Sequence, residues 1–205
     1  MNFKKFELAL KNMLSDDYVN SLEYAILMLN GGSELAFRAR LICKIQEMLP
    51  DGCVAVSEWA PEGGRKRADI AIFKVEGESK KCLLLIELKS NFVSQVSDVR
   101  TRSREDVEKW REGGSLKFPT IFLYYVVRIE ELDSPVVLKP YAVPKINKKD
   151  GWTKIDKVFE QLYKDHGLDY LDPLETKGES KIYPAGESKF QTKYYLYGFK
   201  QAVLP

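Results

Sequence analysis

Residues 67–90 read RADIAIFKVEGESKKCLLLIELKS, two apolar stretches around a polar turn. RADIAIFKV (67–75) and KCLLLIELKS (81–90) have the length and aliphatic content of strands, and EGESK (76–80) reads as a tight connection. A connection this short makes the two strands an antiparallel pair. The run LLLIEL (83–88) marks the second strand as covered on both faces, hence central in its sheet. Two acids and a lysine interrupt this apolar frame. Asp69 lies near the start of the first strand, and Glu87 and Lys89 lie near the end of the second. Side chains alternate along a strand, so Glu87 and Lys89 share a face. Antiparallel pairing then sets Asp69 beside both.

Outward from this pair, CVAVSEW (53–59) is a preceding strand, joined by the loop PEGGRKR. The first third of the chain has helical periodicity. Residues 3–14 carry Phe6, Leu10, Met13 and Leu14, and residues 16–30 carry Val19, Leu22, Ile26 and Leu29. Gly31-Gly32 ends the second helix, and Ser33 is the expected N-cap of a third. That helix is expected to run to about Met48, with Leu35, Ile42, Ile45 and Leu49 inward, until Pro50 stops it. Downstream come a helix over 94–112, strands TIFLYYVVRI (120–129) and PVVLKPYAV (135–143), and an amphipathic helix over 152–167. Residues 171–192, rich in Pro, Gly, Ser and charge, read as a surface excursion, and KYYLYGF (193–199) as a closing strand. The expectation is one α/β domain with a mixed central sheet, helices on both faces and the acids at one sheet edge.

Composition narrows the chemistry. The longest apolar runs fall far short of the ~20 residues a membrane helix needs. The basic N-terminus leads into an amphipathic pattern with no cleavage site, so a cytoplasmic chain without a membrane partner is expected. Cys43, Cys53 and Cys82 are odd in number and set among aliphatic residues, where buried thiols are expected and a zinc site is not. The lone His166, at the end of a helical segment, reads as a helix-terminal cation. A net charge of +2 requires any nucleic-acid-binding surface to concentrate its cations on one side.

Carboxylates and lysines are rare in buried strands unless paired. A buried salt bridge among Asp69, Glu87 and Lys89 leaves one negative charge over, at several kcal/mol of desolvation per ion. A hard divalent cation resolves the imbalance. Mg²⁺ takes one or two carboxylates and completes its shell with water and phosphate oxygens, while a nearby lysine positions or deprotonates the attacking water. The Glu-x-Lys tripeptide is itself uninformative, since it also begins at Glu78, Glu175, Glu179 and Glu187 in polar stretches. Only the Glu87 copy ends an aliphatic strand behind a strand that an acid opens.

RADIAIF with Asp69, and LLLIELKS with Glu87 and Lys89, resemble the PD-(D/E)XK nuclease superfamily and its restriction-endonuclease-like fold. The upstream helix SELAFRARL adds Glu34, where many members of that superfamily place a further acid. Ala68 stands where the motif's name has proline. The resemblance covers residues 33–129, leaving 1–32 as a helical extension and 130–205 as additional strands, a helix and the excursion. It implies a DNA-cutting enzyme, with restriction, junction resolution and end trimming all open; with no helicase motif or second domain in the sequence, a stand-alone endonuclease is expected. Asp69, Glu87 and the Leu88 carbonyl are its ligands to Mg²⁺, or Mn²⁺ in substitution. Lys89 orients the water, Glu34 assists, and no nucleotide cofactor is needed. Two copies pairing to cut two strands is an expectation by analogy.

The substrate side is expected from cations. Arg65, Lys66 and Arg67 precede Asp69 on a Gly-Gly loop, and Arg100, Arg104 and Arg111 flank the stripe Val96, Val99, Val107 and Trp110 in the following helix. An ordinary solvated flank is the plainer account of the helix arginines, as is an exposed side chain for Gln95. For Glu34 the plainer account is a partner for Arg38 one turn on. The tyrosines of KYYLYGF read as core before base-stacking groups. Two other readings of the chain stay open: a non-catalytic nucleic-acid-binding protein on the same fold, and a structural ion cluster.

Overall fold

Cys53–Trp59 (β1), Ala68–Glu76 (β2) and Ser79–Phe92 (β3) form a meander in the computed structural model of the chain. The structure describes residues 33–61, 66–92, 96–112, 115–116, 118–131, 151–170, 176–179, 183–185 and 188–201, together with Phe6, Leu8, Ser21 and Leu27. β1 and β2 pair antiparallel from Cys53↔Lys74 to Trp59↔Ala68, and β2 and β3 from Glu76↔Ser79 to Ile70↔Ile86. The turn between β2 and β3 uses Gly77 at φ 59°, a left-handed backbone that a side chain would strain.

β3 continues into α2 (Val96–Lys109), which carries the chain back so that β6 (Thr120–Glu131) lies parallel to β3, from Leu85↔Thr120 to Phe92↔Val127. A parallel neighbour demands such a crossover, and a helix supplies it. A small hairpin of β4 (Arg111–Glu112) and β5 (Ser115–Leu116) lies within this connection. Helix α1 (Ser33–Gln46) precedes the sheet, and α3 (Gly151–His166) follows β6. Then come β7 (Leu168–Tyr170), β8 (Thr176–Glu179), β9 (Tyr183–Ala185) and β10 (Ser188–Gln201). β10 pairs antiparallel with β6, and β7, β8 and β9 pair with β10. The sheet order is β1-β2-β3-β6-β10-β7, mixed in direction. The chain is therefore α/β with a mixed sheet.

Strand parity divides the core between two faces. Ala71, Phe73, Leu85, Phe122 and Tyr124 join Val107 and Trp110 from the α2 segment and Phe159 and Leu162 of α3 in one buried cluster. The alternate positions Ile70, Ile72, Leu84, Ile86, Ile121, Leu123 and Tyr125 are buried as well, and Phe37 of α1 stacks on Tyr125 at 4.8 Å between ring centroids. Glu87 and Lys89 have the parity of Leu85, and Asp69 that of Ala71. All three belong to the α2 side of the sheet.

Several expectations need correction. The buried face of α1 is Phe37, Leu41 and Ile45, whereas Leu35 is 64% exposed. Cys43 consequently lies on the outer side and is exposed, and Cys53 and Cys82 are only partly buried. Of the supposed surface excursion, residues 176–179, 183–185 and 188–192 are strand, paired within the sheet. The first two helices, apart from Phe6, Leu8, Ser21 and Leu27, lie outside the described residues, as does the strand expected over 135–143. So do the tyrosine side chains of 193–199, although Leu196 is buried. No helix among the described residues is long and apolar enough to cross a membrane.

Candidate active site

β2 begins at Ala68, while β3 runs on past Ile86, its last position paired with β2, to Phe92. Backbone N–H groups left without a strand partner need other acceptors. The Leu88 N–H donates to Asp69 Oδ2 at 2.8 Å, and the Ser90 N–H donates to Glu34 Oε2 at 2.8 Å. Two carboxylates thereby extend the ladder beyond the Ile70↔Ile86 pair, at the start of β2. The acids meet at this junction, where the start of the second strand lies beside the far part of the third.

Glu87 stands beside them, 5% exposed. Lys109 Nζ donates to its Oε1 and Oε2 at 3.1 Å each, and Trp110 Nε1 donates to Oε1 at 2.6 Å. Burial pushes the Glu87 carboxyl up to about 7; Lys109 opposes the shift and the charge of Asp69 adds to it. Asp106 of α2 is likewise raised by burial, against Lys89 and Lys109 and with Asp69 and Glu34 adding. Lys89 Nζ lies 3.9 Å from Asp106 Oδ2. The mutual influence of these groups defines one electrostatic cluster.

Arg38 of α1 closes the other side. Its Nη1 donates to Asp69 Oδ1 and its Nη2 to Glu58 Oε1, both at 2.9 Å. Glu58 adopts φ 51°, an uncommon conformation for a residue other than glycine, at the β1 position that skips the register between Ser57↔Ile70 and Trp59↔Ala68. Its carboxylate reaches Arg67 as well, with Nη1 to Oε2 at 3.7 Å.

The expected residues Glu34, Asp69, Glu87 and Lys89 are thus brought together. Arg38 turns to Asp69 and Glu58, not to Glu34. Sequence reading missed Lys109, Asp106, Arg38 and Glu58, and took Trp110 only as core. The available signal was the crossover: a helix returning over the face that carries Glu87 lays its own polar residues on that carboxylate.

The expected DNA-contacting cations fare differently. Lys66 Nζ donates to the Lys109 carbonyl at 2.8 Å, satisfying a helix-terminal acceptor. Arg67 is exposed beside Glu58, and Arg65 lies outside the described residues. Arg104 is exposed and lines a cleft with Arg111, Gln161 and His166, while the Arg100 side chain and Gln95 lie outside the described residues. Arg111 is not a solvated flank, since its Nη2 donates to the His166 carbonyl at 2.6 Å. His166 lies in the last turn of α3, as expected, with Nδ1 3.4 Å from Glu108 Oε1, while burial, aided by Arg111, lowers its pKa. Among the described residues, no group of three or more His, Cys, Asp or Glu is arranged to hold a metal ion. No protein-family model, no curated protein and no solved structure matches the chain.

Proposed function

We propose that the chain is a Mg²⁺-dependent nuclease hydrolysing DNA phosphodiester bonds, a stand-alone endonuclease on a restriction-endonuclease-like core. The observation that supports this reading most is the meeting of Asp69, Glu87 and two lysines where β2 begins and β3 runs on beyond it. The donors suit a small hard cation. They are carboxylate oxygens, and burial, with the charge of Asp69 adding, raises the Glu87 carboxyl to about 7, so a divalent ion bound there would favour its ionised form. Mg²⁺ needs only one or two protein carboxylates, because water and substrate phosphate fill its remaining positions.

In this reading Asp69, Glu87 and the carbonyl oxygen of Leu88 would hold the ion. Bound there, it would acidify the attacking water and stabilise charge developing on the phosphate. Lys89 orients that water. Glu34 holds the end of β3 through the Ser90 amide, and so positions Lys89. Arg67 and Arg104, both exposed, are the described candidates for phosphate contacts, with two copies of the chain needed to cut both strands together.

The test is a cleavage panel of duplex, single-stranded, flapped and four-way DNA, and RNA, with each metal. Mg²⁺ and Mn²⁺ are expected to support cutting, and Ca²⁺ to support binding with little turnover. Undiminished cutting in EDTA would refute the metal reading. One observation favours a second reading, a non-catalytic nucleic-acid-binding protein on this fold: cations or backbone amides already match Asp69, Glu87 and Glu34. DNA binding without cleavage of any substrate, and without Mn²⁺ binding in calorimetry, would select it.

A further inference from the structure

We infer that Lys109 is a built-in guard of the acid pair, its ammonium holding Glu87 until a divalent ion displaces it. The inference rests on the nuclease reading, because it concerns the same carboxylates. Lys109 Nζ is ringed by Glu87 Oε1 and Oε2, at 3.1 Å each, and by the carbonyl oxygen of Arg67. Two carboxylate oxygens and one carbonyl are the donors a hard cation takes, and here an ammonium takes them. Nζ also lies 5.2 Å from the centroid of the Trp110 ring, a further site for positive charge.

The surroundings allow the ammonium to leave without dismantling the site. The Lys109 backbone is held by Lys66 on its carbonyl, so departure needs only rotation of a flexible four-carbon stem. The side chain is 25% exposed and has a route to solvent. Trp110 Nε1 keeps its own 2.6 Å hold on Glu87 and fixes the carboxylate when the lysine is gone. Lys89 is tied differently, 3.9 Å from Asp106, and is free to stay. An ammonium and a divalent ion on one carboxylate repel strongly at such separations, so they exclude each other. Without the guard, a nearly dry carboxylate would lose its nearest counter-charge whenever metal was absent. With it, the enzyme idles in a folded, metal-free form, and the metal concentration that switches it on is set higher.

Calorimetric titration with Mn²⁺ tests this on the full chain and on Lys109→Met, which keeps the stem and removes the charge. Lys109→Met is expected to bind Mn²⁺ at least about tenfold more tightly, the scale of one repulsive charge removed from a few ångströms away. Equal or weaker binding, with Mn²⁺ still bound by the unaltered chain, overturns the guard and leaves the nuclease reading intact. No Mn²⁺ binding by either protein overturns both. A second measurement uses the unaltered chain alone. Acetylation of lysines by an N-hydroxysuccinimide ester, mapped by mass spectrometry, should increase several-fold at Lys109 when Mn²⁺ is added, and much less at Lys89. Unchanged labelling of Lys109 in the presence of bound Mn²⁺ also overturns the guard.

Discussion

Burial holds a proton on Glu87 to about pH 7, where a free glutamate releases it near 4.5. Between those values the unfolded chain has lost this proton and the folded chain keeps it. The contribution to stability is therefore full below about pH 4.5 and falls as pH rises to about 7. The loss is on the order of 3 kcal/mol for a group this buried. In EDTA, Glu87→Gln should raise the melting temperature at pH 8 and have little effect at pH 4.5; equal shifts at both would sink this account. For catalysis, Asp69→Ala and Glu87→Ala should each lower cleavage by at least ~10²-fold. Asp69→Ala also strips acceptors from the Leu88 amide and Arg38, at about 1–3 kcal/mol, so Asp69→Asn is the gentler test. Full cutting by a folded Glu87→Ala chain ends the assignment. Strand parity and the short turn that makes β2 and β3 antiparallel made the Asp69–Glu87 meeting legible. Lys109 was not, because its role depends on how α2 rotates over the sheet, and Glu58 was not, because a left-handed backbone at a glutamate leaves no compositional trace.

α1 shows how a helix's phase decides what it brings to a site. Its inner stripe is Glu34, Phe37, Arg38, Leu41 and Ile45, so the polar members at its N-terminal end meet β3 and Asp69 while the apolar ones enter the core. The sequence reading set Ile45 inward correctly, yet also turned Leu35 inward. A helix with apolar residues on several sides allows more than one phase, and the bulk of Phe37 against Tyr125 selects this one. Phe37→Ala should then cost about 3–5 kcal/mol in urea denaturation, as for other buried phenylalanines. It should also weaken cleavage, since Glu34 and Arg38 ride on the same turns. A loss under 1 kcal/mol would mean that α1 is not anchored here.

On the scale of the molecule, the α/β class and mixed sheet were legible from the order of periodic segments, as were both faces of β3. The polar run after residue 170 misled, because its Gly, Ser and charged residues look solvated, although short strands there need only one covered side or a neighbour's backbone. That misread region has a consequence for how the chain comes into being. β6 ends at Glu131, and the strand that covers its free side, β10, starts only at Ser188. Synthesis proceeds from the N-terminus, so the nascent chain carries all the acids of the site while β6 still offers an open row of amides and carbonyls. A chain stopped after Tyr170 should therefore elute from size-exclusion chromatography as oligomers or aggregate, and monomeric elution would show that the row is covered some other way. Of the sheet's described strands, the one synthesised last is the one that covers this row.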